Sequence, residues 1–307
     1  EMMSIFCYEY LNFKSLGLLL LLFLGIPFCP YSVYSQETRG ESWQLQGGIG
    51  VCSSVEKSEL LLEAKSAFLE VNIQDFFNPK ESDAEFASKL ERIRRSSLPV
   101  YAGNCFFPGK MKLVGDQIDI SAVLSYAEIA MKRAQMTGTK IFVLGSGGAR
   151  NIPEGFDRNK ACKQFIRLCK RIAEIGEKYG VVVVLEPLRK KETNFVNTIA
   201  EGMKIVKAVN HPNFNILADF YHMACEKESP EVIIDAAAEL CHCHIAEVES
   251  RSAPGIRGDD FTPYFRALKQ IGYEGAIALE CNWKDFDKEV KCGIAEAGRQ
   301  VTSIPDF

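Results

Sequence analysis

Residues 181–188 read VVVVLEPL, and three later peptides repeat the form: NILADFYHM at 215–223, CHCHIAEV at 241–248 and IALECNW at 277–283. Each is an apolar run, short enough for a strand, that stops on an acid or a histidine. The four runs end on Glu186, Asp219, His244 and Glu280. Working outward from them, the chain after residue 40 alternates strand and helix patterns. Strands are predicted at 44–52, 68–75, 100–106, 140–145, 181–186, 215–219, 241–246 and 276–280. Amphipathic helices are predicted at 54–66, 83–95, 121–137, 157–179, 196–209, 230–239, 262–271 and 285–299. Ser53 or Ser54, Asp83, Ser121 and Thr262-Pro263 stand where helix starts belong. Gly138, Gly180 and Gly272 stand where helices should stop. Eight strand–helix units in about 260 residues fit a closed parallel barrel, the (β/α)8 TIM barrel of the α/β class, better than an open sheet. No low-complexity linker divides it, so 36–307 is read as one domain. The glycine-rich GSGGAR at 145–150 lacks the spacing of a phosphate-binding loop and is read as a turn at the barrel mouth.

The first 35 residues are read separately. Lys14 precedes LGLLLLLFLGI at 16–26, an apolar stretch too short for a comfortable membrane span and suited to a signal peptide. Val33-Tyr34-Ser35 offers small residues for cleavage after Ser35. The expectation is an exported, periplasmic protein with no stable membrane span after cleavage; an uncleaved anchor is the alternative. Of 11 cysteines, those past Ser35 are 52, 105, 162, 169, 225, 241, 243, 281 and 292. That number is odd, the spacing is not that of a stapled scaffold, and several lie in apolar runs, so they are read as buried free thiols. The 307 residues are 47% hydrophobic with a net charge of −4 and no basic cluster, which leaves nucleic-acid binding without electrostatic support.

In a barrel of this kind the C-terminal strand ends line the active-site face. Glu186, Asp219, His244 and Glu280 end strands five to eight and so converge on one side of the mouth. Oxygen donors with one imidazole are what a divalent cation takes, and the same set holds two glutamates able to act as an acid/base pair. His242, two residues before His244, shares its side of the strand one layer deeper and is read as a core histidine. His211 is read as structural. Trp43, Phe107 and Trp283 are either walls of a pocket or barrel packing, and Glu226 and Glu228 belong to a lid or to the surface.

A resemblance rests on Glu186-Pro187-Leu188 with Glu192 and Asn194, then Asp219-Phe220-Tyr221-His222, His244-Ile245-Ala246-Glu247, Arg251-x-x-Pro254-Gly255 and Glu280-Cys281-Asn282-Trp283. This series resembles the xylose-isomerase-like TIM-barrel family of sugar isomerases and epimerases, and within it the ketose 3-epimerase branch. The likeness spans roughly 43–300 and is most specific in 181–283; the first four strands match only as architecture. It implies one divalent metal (manganese, cobalt or magnesium) held by Glu186, Asp219, His244 and Glu280. It implies that Glu186 and Glu280 lie on opposite faces of a sugar, one removing a proton beside a carbonyl and the other returning one, through an enediolate. It further implies substrate contacts from His222, Glu192 and Arg251, the last only if one extra residue is allowed between His244 and the Pro-Gly turn. Pairing of subunits into a homo-oligomer is common among such relatives.

The leading expectation is a metal-dependent epimerase or isomerase of a small non-phosphorylated sugar. A lyase or dehydratase acting on a keto-sugar or inosose could use the same site. A DNA-repair endonuclease of this fold needs three zinc ions and many histidines, and this chain has four. A sugar-binding protein without catalysis has no need of both glutamates.

Overall fold

A computed structural model describes residues 43–96 and 98–305; the signal-peptide reading falls outside them. Eight parallel strands close into one barrel in sequence order: β1 Ile49–Cys52, β2 Leu69–Asn72, β3 Val100–Asn104, β4 Ile141–Leu144, β5 Val182–Leu185, β6 Phe214–Asp219, β7 Leu240–Ile245 and β8 Ala276–Leu279. Closure comes from β1 pairing with β8, Gly50 opposite Ala278. Side chains alternate across each strand. Outward residues such as Val183, Leu185, Ile216 and Ile277 join the large core between sheet and helices. Inward residues, among them Ile141, Val143, Val182, Val184 and Leu217, plug the barrel interior. Above this plug the inward positions turn polar: Glu70 and Asn72 on β2, Asn104 on β3, Asp219 on β6, His242 and His244 on β7.

Six of the eight strands are shorter than predicted, for local reasons, while β6 starts one residue earlier and β7 shifts back by one residue. The first begins only after a turn in which Gly48 takes φ 70° and donates its N–H to Leu45. The second stops because the Asn72 side chain accepts from the Gln74 N–H and starts a short helix, Ile73–Phe76. Helix starts shift similarly. Ser82, not Asp83, caps Asp83–Arg95 in a reciprocal pair with Glu85. Asp119, not Ser121, caps Ile120–Thr137. Gly138 and Gly180 end their helices in the left-handed conformation that glycine adopts without strain. The helix predicted at 230–239 shrinks to Val232–Asp235, whose N-terminus has no side-chain cap. No helix among the described residues is long and apolar enough to cross a membrane.

Of the cysteines expected as buried thiols, Cys169 and Cys243 are buried and free. Cys52, Cys162, Cys225 and Cys281 are free and half-buried, and Cys105 and Cys292 are free and exposed. Cys241 departs from the expectation and is disulfide-bonded.

The GSGGAR segment holds the mouth together. It forms a turn of helix, Gly147–Arg150, that buries the Arg150 side chain against the C-terminal ends of β4 and β5 with no exposure at all. Its guanidinium donates to the carbonyls of Phe195 (3.0 Å), Leu144 (3.0 Å), Glu186 (2.8 Å), Val196 (3.3 Å) and Gly145. Burial brings its pKa down to about 10, so it stays charged at neutral pH. Replacing Arg150 with Met takes the donor from the carbonyls of Phe195, Glu186 and Gly145, while Leu144 keeps the Glu186 N–H and Val196 the Leu188 N–H. Urea denaturation is expected to show a loss of at least about 3 kcal/mol, since each orphaned buried polar group costs about 1–3 kcal/mol.

Candidate active site

The four strand-end residues come together as the sequence spacing anticipates. Glu186, Asp219, His244 and Glu280 each offer one ligand atom, and these atoms lie within 4.8 Å of one another. Glu186 and Glu280 stand one residue past their strands, yet their N–H groups still bond across, to Leu144 and Ile245 at 3.2 Å each. The backbone ladder thus fixes where both carboxylates begin. Asp219 ends β6 and caps the following helix, Phe220–Cys225: Oδ1 accepts from the N–H groups of Tyr221 (2.8 Å) and His222 (3.3 Å). That commits one oxygen to the backbone and turns the other, Oδ2, into the site. Gly145 makes room for Glu186, because a Cβ there would lie 2.2 Å from Glu186 Oε2.

His244 is the centre of the group. Its Nδ1 lies 3.2 Å from Glu186 Oε1 and 3.1 Å from Glu280 Oε2, while its Nε2 lies 2.9 Å from Glu70 Oε1. Both ring nitrogens therefore face carboxylate, and a neutral ring carries a single proton. One side needs another positive partner, a proton or a cation. Three carboxylates and an imidazole at such close quarters match the donor set of a divalent metal with mixed oxygen and nitrogen ligands. The chain's own residues thus fit a cation held by Glu186, Asp219, His244 and Glu280.

Electrostatics separate the two glutamates. Burial, with Glu280 beside it, raises the Glu186 pKa. Burial opposes ionisation of Glu280 too, but Arg251 and His244 outweigh it and hold that carboxyl well below the usual range. Burial likewise works against a charged His244, and Glu70 and Glu280 more than offset it, raising the imidazole pKa. Asn104 Nδ2 donates to Glu280 Oε1 at 3.0 Å.

Arg251 reaches this group despite the extra residue before its Pro-Gly turn. Ser250 and Arg251 both take positive φ, 66° and 52°, which folds the loop back over the mouth. Arg251 Nη2 donates to Asp219 Oδ2 at 2.9 Å and to Glu280 Oε2, and Nε donates to the Glu280 carbonyl at 3.0 Å. The loop is wrapped around the buried Glu247 carboxylate. Glu247 accepts from the N–H groups of Gly255 (2.8 Å), Gly258 (2.9 Å), Asp259 (3.3 Å) and Arg257, and from the Ser252 hydroxyl (3.0 Å). Tyr221 lies between two guanidinium groups, Arg251 at 4.7 Å and Arg189 at 5.0 Å from its ring centre.

His222 is buried beside the cluster, with Nε2 3.5 Å from Asp219 Oδ2 and Nδ1 accepting from the Arg189 N–H at 3.3 Å. Glu192 stands apart, paired with Arg189 at 2.7 Å and partly exposed. Glu228 accepts from the N–H of Ile199 and caps a helix start, and Glu226 accepts from the Lys190 N–H. Phe107 stacks on Phe106 in the core, Trp283 packs edge-on against Phe286, and Trp43 donates to the Tyr273 carbonyl. His242 is fully buried and bonded to Glu70, and His211 accepts from the Asn213 N–H. Sequence reasoning missed Glu70, Asn104, Gly145 and Arg150. Glu70 alone left a signal, an acid inside the apolar run FLEVNI at 68–73.

Comparison with known proteins agrees with this picture. A family model described as xylose isomerase-like TIM barrel matches residues 60–300. The ketose 3-epimerase of Arthrobacter globiformis is 36% identical over 113 residues, 36% of this chain and 38% of that protein. The L-ribulose 3-epimerase of Methylomonas sp. (strain DH-1) is 36% identical over 112 residues, 36% of this chain and 39% of that protein. The match thus spans about two fifths of either relative. A solved D-psicose 3-epimerase with D-tagatose from Clostridium cellulolyticum H10 superposes with a TM-score of 0.74 at 19% identity, covering 83% of this chain and 99% of that one. At that identity the likeness speaks for the fold.

Gly145→Ala tests the packing of the site without replacing a donor. The added methyl group overlaps only the Glu186 carboxylate end, at 2.2 Å from Oε2, and meets Leu188 at an ordinary 3.6 Å, so the melting temperature should stay within a few degrees. Cation affinity measured by titration calorimetry should fall about tenfold or more, as displaced ligand geometry dictates.

Proposed function

Since the chain belongs to the family of xylose isomerase-like TIM barrels, we propose that it is a divalent-metal-dependent epimerase or isomerase of a small, non-phosphorylated keto-sugar. One observation carries the reading: Glu186 and Glu280 reach the same imidazole nitrogen, at 3.2 and 3.1 Å, from the ends of β5 and β8, three strands apart around the barrel. A sugar carbon between two such carboxylates can lose a proton to one and regain it from the other. Inversion at the carbon beside a carbonyl needs two such proton carriers, together with stabilisation of the charge that develops on the oxygen. Curated relatives named as ketose 3-epimerase and L-ribulose 3-epimerase support the substrate class.

Each remaining residue has a place in this scheme. Glu186, Asp219, His244 and Glu280 would hold the metal. When bound, the ion would stabilise the negative charge that develops on substrate oxygen as the proton leaves, charge of the enediolate type. Arg251 fixes Glu280 through its carbonyl and its carboxylate together, so that the proton-carrying oxygen keeps its aim. Asn104 holds Oε1 of Glu280, so that Oε2, which Arg251 and His244 contact, is the oxygen turned to the site. His222 and Arg251 offer donors to sugar hydroxyls at the edge of the group, and Glu192 an acceptor further out. Export to the periplasm remains part of the proposal, supported by the apolar stretch at 16–26.

Incubating the protein with Mn2+ and a panel of ketoses in deuterated water should give isomeric products carrying deuterium at the carbon next to the carbonyl. A product lighter by water would establish the lyase reading instead, and no exchange with any ketose would refute both. Glu280→Gln should lower turnover by about 10²–10⁴, the worth of a positioned proton carrier, while a ketose still binds in calorimetry.

A further inference from the structure

The carboxylate of Glu70 has no place in the scheme above, yet it is as deeply buried as any group in the molecule, with no exposure. It enters the barrel from β2, and each of its oxygens meets a different histidine of β7: Oε1 lies 2.9 Å from His244 Nε2 and Oε2 lies 2.8 Å from His242 Nε2. Both histidines are fully buried as well. A carboxylate in such surroundings keeps its charge only where hydrogen-bond donors hold it. An ionised carboxylate only accepts, so each imidazole must present an N–H at Nε2.

We propose that Glu70 is a positioning residue for the cation site: it fixes the proton of His244 on Nε2 and so reserves Nδ1, the atom facing Glu186 and Glu280, as the ligand. His242 completes the device from one layer below. It occupies the second oxygen of Glu70, which stops the carboxylate from rotating away from His244. Residues 242 and 244 face inward on the same strand, opposite Leu217 and Asp219 of β6. The pleat of β7 therefore sets the spacing at which one carboxylate bridges both rings. The inference rests on the cation-site reading of the preceding subsection. It adds that ligand identity is decided in the barrel interior, beneath the mouth.

Glu70→Gln is the decisive variant, since it keeps shape and volume but makes one of the two contacts a donor. An amide nitrogen facing His244 drives the imidazole proton to Nδ1, into the position of the cation. The expected result is a loss of at least about tenfold in affinity for Mn2+ and for Zn2+ by calorimetry, with the far-ultraviolet circular dichroism spectrum unchanged. Long-range proton–nitrogen NMR of the Zn2+-loaded unsubstituted protein should show His244 protonated at Nε2 and bound through Nδ1. His242→Gln, which retains an amide donor for Glu70, should change the affinity by less than about threefold. Unchanged cation affinity in Glu70→Gln, or His244 bound through Nε2, would overturn the role given to Glu70 and leave the cation site standing. Failure of the unsubstituted protein to take up either ion would remove the cation site and this inference together.

Discussion

The mouth of this barrel is governed by repulsion among carboxylates. Glu186, Asp219 and Glu280 place oxygens within 4.8 Å of one another and of His244, largely out of water. Like charges at that distance and depth oppose ionisation strongly, so each must be held by something positive or by donated hydrogen bonds. Asp219 has the N-terminus of a short helix. Glu280 has Asn104 and Arg251. Among the described residues Glu186 has only His244, and burial, with Glu280 beside it, raises its pKa. The asymmetry between two chemically identical side chains is a consequence of what each strand end has beside it.

Two further buried charges hold the frame around this group, and they work in opposite senses. Arg150 is a cation that gathers carbonyls from the ends of β4 and β5 and the segment leading into the next helix. Glu247 is an anion that gathers N–H groups from the loop following β7. In both cases the loop backbone has polar groups that no sheet ladder can satisfy, and a single fully buried side chain supplies several partners at once. The first sets the carbonyl of Glu186 and the second carries Arg251. Both supports lie on the half of the rim that bears the candidate donors, which is the half where position matters to a fraction of an ångström.

The barrel and its donors were legible because their signals are local. A short apolar run is a buried strand whatever surrounds it, a glycine after an amphipathic stretch ends a helix, and an acid at a strand end points to the mouth. Helix boundaries moved by a residue or two where a neighbouring side chain capped better, as Ser82 and Asp119 do. Arg251 stood at an awkward spacing in the sequence, and two residues of positive φ bring it in. Glu192 matched a sequence pattern but faces Arg189 and not the four donors. Arg150 and Gly145 looked like turn residues, and nothing in GSGGAR tells that one of them gathers carbonyls at the strand ends and the other leaves space for a carboxylate.

By itself the sequence determined which residues end the strands, since strand periodicity and helix stops are written within stretches of a few residues. It therefore determined the chemistry of the donors. Only the tertiary structure decided which atom of each donor is offered. Glu70 lies 172 residues from His242 and 174 from His244, and only closure of the sheet through β1 and β8 brings β2 near β7. The choice between two nitrogens of one imidazole depends on that closure, because a ring proton follows the nearest carboxylate in space, and distance in space is set by the barrel's register and not by distance along the chain.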